Sequence, residues 1–170
     1  MNVSVLLDTS FLITLVDANR LHHPVAKQFY RYLLQHDICM YLSAIVAAEF
    51  GIKQAVTDLP LSNFRIVSFN LLHGQKAADL WNALGNRKEG GSREVVRDDV
   101  KLLAQASHED IDFILTEDER TLSKYCERLR MQGLLRTHAL KLVDGFDASL
   151  LREDGQKDWI GSVLRTVDHD

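Results

Sequence analysis

The chain has 170 residues, 46% of them hydrophobic, with 20 Lys and Arg against 24 Asp and Glu. That length suits one domain with a core large enough to need no disulfide or structural metal. The composition excludes a disordered or fibrous chain, and no apolar run approaches the roughly 18 residues that span a bilayer. Seven acids against three bases between Leu142 and Asp170 account for the whole formal charge of −4. The body before them is neutral, so net charge neither requires nor forbids a nucleic-acid partner. Asp8 interrupts the first apolar run, which argues against a signal peptide. Cys39 and Cys126 form no Cys-x-x-Cys pair, and a reduced, cytoplasmic protein is expected.

Apolar patterning predicts a buried strand at Val3–Leu7, then short helices at Phe11–Val16 and Val25–Gln35. A second strand is predicted at Ile38–Leu42, with Ser43 capping a helix that runs to about Val56. Phe64–Phe69 reads as a third strand, followed by a helix over Leu71–Leu84. Gly85–Ser92 (GNRKEGGS) reads as a flexible loop before a helix from Arg93 to Ala106. A strand at Ile111–Thr116, a helix at Thr121–Met131 and a strand near Leu140–Val143 complete the series. Strands alternating with helices predict an α/β fold: one three-layer domain over residues 1–144, its central, mostly parallel sheet flanked by helices. Residues 145–170 read as an acidic extension, helical near Trp159–Leu164 or partly disordered.

Parallel sheets bind ligands beyond the carboxyl ends of their strands. Asp8 directly follows the first strand, and Asp118 lies just past the strand ending at Thr116. Either acid alone is more commonly a turn former or a helix cap. Two helical acids are harder to explain that way. At about 100° per residue, Glu49 falls among Ile45, Val46, Ile52 and Val56 on the apolar stripe of its helix. In the helix from Arg93 to Ala106, Asp99 falls with Val95, Leu102 and Ala106, whereas Asp98 points toward Lys101 and Gln105 on the polar side. Carboxylates are buried only when paired, protonated, hydrogen-bonded or bound to a cation, and these stripes contain no Lys or Arg. Four acids meeting at one sheet edge suit a hard divalent ion, Mg²⁺ or Mn²⁺ rather than Zn²⁺, because no His or Cys joins them.

Other chemistry fits less well. A phosphoaspartyl phosphatase would want an Asp where Ser10 stands, and Gly90–Ser92 is no phosphate-cradling loop because it follows no strand. His22 and His23 precede Pro24 and read as surface or capping residues.

The stretches VSVLLDTSFLITLVD, YLSAIVAAEF, DVKLLAQA and FILTEDER, in this order and spacing, resemble the PIN-domain nucleases and within them the VapC-like toxins. The resemblance covers about residues 3–143, with Leu122 where that family often has an aromatic residue and a tail longer than in compact members. It implies a metal-dependent nuclease, a hydrolase of RNA phosphodiester bonds, working as the toxin of a type II toxin–antitoxin pair. By that match Asp8, Glu49, Asp99 and Asp118 are the catalytic and metal-binding acids, and Ser10 and Thr116 their polar companions. Backbone phosphates would be met by Arg87, Lys88, Arg93, Arg97, Arg120 and Lys124. The expected partners are RNA, a small antitoxin and a second copy of the chain. The rival reading is a catalytically weak PIN-fold module that binds RNA or protein.

Overall fold

The computed structural model describes residues 3–85 and 93–151, with the side chains of 93–95 outside that description. Among the described residues there are five strands: β1 (Ser4–Leu7), β2 (Cys39–Ser43), β3 (Arg65–Val67), β4 (Phe113–Thr116) and β5 (His138–Lys141). They form one sheet of order β3-β2-β1-β4-β5 in which every pairing is parallel. The centre is apolar on both faces: Val5, Leu6, Leu7, Ile114 and Leu115 are fully buried. Parallel strands covered on both faces read as continuous hydrophobic runs, as these do.

Six α-helices connect the strands among the described residues. α1 (Thr9–Val16) and α2 (His23–Gln35) join β1 to β2, and α3 (Ala44–Lys53) joins β2 to β3. α4 (Leu71–Leu84) and α5 (Arg93–His108) join β3 to β4, and α6 (Leu122–Met131) joins β4 to β5. α1 packs against α2 and α3, while α4, α5 and α6 pack against one another. The first crossovers step outward from β1 toward β3 and the later ones step from β3 across to β5. Right-handed crossovers taken in opposite directions put their helices on opposite faces. The order reverses between β1 and β4, so the crevice outside their carboxyl ends is the position for a ligand.

Several expectations are corrected. The helix after β2 ends at Lys53, not near Val56, so the stripe assigned around Glu49 is shorter than expected. Val46 and Phe50 are its buried residues, and Ile52 is 85% exposed. Glu49 is half-buried beside α1 rather than centred on the core face. Gln105, placed on a polar face by the helical wheel, is fully buried. It accepts a hydrogen bond from the Ser43 hydroxyl and donates one at 3.4 Å to the Val67 carbonyl, tying α5 to the ends of β2 and β3. The last strand is His138–Lys141, two residues earlier than expected. Packing continues past Asp144: Phe146 meets Phe29 edge-on at 5.0 Å, and Leu151 is buried. The predicted loop after Gly85 and the tail beyond Leu151 lie outside the described residues.

Candidate active site

The register aligns Leu7 with Leu115, so Asp8 and Thr116 emerge side by side at the carboxyl edge. Asp8 stands at the N-cap of α1, yet its side chain makes no capping bond there. Asp8 Oδ2 instead accepts hydroxyl hydrogen bonds from Ser10 at 2.5 Å and Thr116 at 2.8 Å. Each hydroxyl in turn accepts a backbone amide from the turn after β4. Glu117 N–H donates to Ser10 at 2.8 Å, and Asp118 N–H donates to Thr116 at 2.9 Å. One carboxylate oxygen thus anchors two consecutive peptide groups.

Asp118 is held differently. Its carboxylate accepts amides from Arg120 at 2.7 Å, Thr121 at 3.1 Å and Leu122 at 3.4 Å, plus the Thr121 hydroxyl. Burial would raise its carboxyl, but these donors outweigh burial and hold it below its usual range. Glu49 reaches across from α3 to accept the Thr9 hydroxyl. Burial raises Glu49, the Thr9 hydroxyl opposes, and repulsion from Asp8 adds to the rise. Asp8 is likewise raised, by burial more than its hydroxyl donors can offset.

Asp99 comes from the opposite helical layer. Burial pushes its carboxyl up to about 7, against a lowering by the Thr121 hydroxyl, with repulsion from Asp8, Asp118 and Glu49 adding to the rise. Its Oδ2 is buried and has no hydrogen-bond partner. No ion pair among the described residues involves any of these four acids, whereas the neighbouring Asp98 is paired with Lys101 at 2.8 Å on the outside. Four mutually repelling carboxyls, one with an orphaned oxygen, form a donor set of oxygens alone. That set fits a hard divalent cation.

Among the described residues, His73, His108 and Glu109 are the one group of three or more His, Cys, Asp or Glu with ligand atoms all within 4.8 Å of one another. The four acids are spaced more widely, which leaves room for an ion that keeps water ligands, as Mg²⁺ commonly does. The histidine group serves another purpose. His73 Nδ1 accepts the Asn70 amide at 3.1 Å in a capping box that starts α4, so its proton sits on Nε2 and is donated to Glu109 at 2.9 Å. Neither ring nitrogen of His73 is left to bind an ion.

Of the residues expected to meet phosphate, Arg97, Arg120 and Lys124 are exposed. Arg97 is two residues before Asp99, and Arg120 two after Asp118. Arg87 and Lys88 lie outside the described residues, and of Arg93 only its place at the start of α5 is described. Sequence reasoning passed over Thr9 and Thr121, hydroxyls that each touch an acid of the set. Adjacency to Asp8, and a Thr three residues after Asp118, were the signals that could have found them. It also passed over Glu117, which accepts hydrogen bonds from Thr14, from Arg20 at 2.8 Å and from His22 at 3.0 Å.

An all-parallel sheet of this order, carrying acids at its switch point, defines a class, and the family comparison agrees: residues 5–128 match the PIN domain model. The chain belongs to the PIN domain family. FitAcB from Neisseria gonorrhoeae is similar in structure, with a TM-score of 0.58 at 16% identity over 82% of this chain and 98% of that one. VapBC2 from Rickettsia felis, solved bound to a DNA fragment from its promoter, gives 0.54 at 14% identity, covering 81% and 97%. VapC20 from Mycobacterium tuberculosis, described as a toxin that cleaves the sarcin–ricin loop, gives 0.51 at 17% identity, covering 68% and 90%. No curated protein matches the sequence.

Proposed function

We propose that this PIN domain is a Mg²⁺- or Mn²⁺-dependent endoribonuclease and the toxin of a type II toxin–antitoxin pair. The observation that carries the metal is Asp99 Oδ2: a buried carboxylate oxygen without a partner, among three further acids and no paired cation. The toxin reading is supported by the family and by structural neighbours that include a sarcin–ricin loop cleaving toxin and VapBC and FitAB complexes.

Asp8, at the end of β1, and Asp99, on α5, would be the central ligands of the ion. Glu49 and Asp118 flank the same space and would hold a second ion or a water. Asp118, whose oxygens also accept amides and a hydroxyl, would act on that ion or water mainly through its negative charge. A bound divalent ion supplies charge neutralisation at the phosphoryl oxygens and Lewis acidity. Ser10 and Thr116 orient Asp8, while Thr9 and Thr121 orient Glu49 and Asp118. Arg97, Arg120 and Lys124, which are exposed, would meet backbone phosphates, together with Arg87, Lys88 and Arg93 as read from the sequence. A small antitoxin would cover the crevice, and the toxin itself would be a homodimer in the cytoplasm.

The purified protein should cleave RNA with Mg²⁺ or Mn²⁺ and stop on addition of EDTA, read on denaturing gels with several RNAs. Cleavage indifferent to chelator overturns the metal. Absence of cleavage with every metal and RNA tried favours the non-catalytic binding module instead.

A further inference from the structure

The Glu117 cluster has no part in the chemistry described so far. Its carboxylate gathers donors from three places: Thr14 in the second half of α1, and Arg20 and His22 in the connection to α2. Thr14 is fully buried and Glu117 only 20% exposed, so this is a formed cluster rather than a chance surface contact. Burial would raise the Glu117 carboxyl, but the hydrogen bonds from Thr14, His22 and Arg20 outweigh it and lower it. His23 Nδ1 contacts the Thr14 carbonyl at 3.0 Å, so the α1–α2 connection is fastened at both ends.

Glu117 directly precedes Asp118, in a short turn that also carries Thr121. On its inner side that turn is held through amides relayed by Ser10 and Thr116 to Asp8. On its outer side the Glu117 carboxylate is its tie to α1. Charge-assisted bonds to Arg are roughly twice as strong as neutral ones, so the 2.8 Å contact with Arg20 makes this tie a firm one.

We propose that Glu117 is a positioning residue: clasped by Thr14, Arg20 and His22, it fixes the turn that sets Asp118 and Thr121 against Asp8 and Asp99. The inference rests on the metal-dependent ribonuclease reading. Outer groups that orient the residues around an ion are commonly worth about 10–100-fold in affinity or activity, and an ångström of looseness can cost about as much.

The test compares wild type, Glu117→Gln and Arg20→Ala. One readout is the Mn²⁺ concentration giving half the rise in melting temperature of chelator-stripped protein. The other is kcat and KM for one fixed RNA. Both variants should need roughly tenfold more Mn²⁺ and show kcat lowered roughly tenfold with KM little changed. The double variant should be no worse than the poorer single one, because both break the same clasp. Arg20→Lys, which keeps the charge, should recover part of the loss. Arg20 is 36% exposed, so its variant carries the test if Glu117→Gln does not fold. A lower melting temperature with unchanged Mn²⁺ response and kcat would make the cluster a mere staple and overturn the proposal. A wild type that neither responds to Mn²⁺ nor cleaves RNA overturns the ribonuclease reading, and this inference with it.

Discussion

Substituting Asp99 by Asn should leave unchanged or raise the melting temperature of protein stripped of divalent ions, and should abolish the stabilisation that Mn²⁺ gives the wild type. Asn matches Asp in size and removes a charge that burial and three neighbouring acids make unfavourable. The same physics fixes a pH dependence. The Asp99 carboxyl is raised from 3.8 to about 7, so the folded protein keeps a proton that the unfolded chain has released. Stability in EDTA therefore falls as pH rises from about 4 to about 7, by as much as about 4 kcal/mol. Asp8 and Glu49, also raised, add in the same direction. Urea melts of wild type and Asp99→Asn in EDTA across that window should show the fall largely flattened in the variant. A variant that is strongly destabilised yet still responds to Mn²⁺ makes Asp99 a structural hydrogen-bonding residue.

Asp8→Asn should lower kcat for RNA by at least about 10³-fold, a loss of about 4 kcal/mol of transition-state stabilisation, while the fold survives. The amide oxygen of Asn can still accept the Ser10 and Thr116 hydroxyls that Asp8 Oδ2 accepts, so the two peptide groups relayed through them stay in place. Only the charge and the second carboxylate oxygen are lost. Asp8→Ala should also lose activity but unfold more readily, because two hydroxyls lose their acceptor at about 1–3 kcal/mol each. Comparing the two variants by calorimetry and cleavage separates the scaffold role of Asp8 from its chemical one. Wild-type cleavage by Asp8→Asn would remove Asp8 from the reaction.

The fold was legible because its central strands are buried on both faces and so read as unbroken apolar runs between amphipathic helices. Asp99 was legible for a related reason: α5 runs for 16 residues, long enough for the helical period to fix which side is inward. Glu49 was less so. Its helix is only 10 residues long and packs against α1, and Ile52 points to solvent where the wheel placed it inside. Gln105 was misread because a glutamine is polar by type, and its burial depends on Ser43, 62 residues away in sequence. Glu117 left no trace for the same reason, since its partners Arg20 and His22 are 97 and 95 positions distant. Local patterns encode periodicity and capping; a pairing between remote side chains becomes visible only when the chain has folded.

The position of β1 in the middle of the sheet has a consequence for biosynthesis. The strand leaves the ribosome well ahead of β4, which completes its environment, supplies Thr116 and follows more than 100 residues later. Loop closure over such a span precedes any gain from the contact. A nascent chain therefore carries Asp8 without the neighbours that orient it, and the crevice does not exist until translation has passed Thr121. Strand order alone therefore keeps a partly synthesised chain without an assembled site.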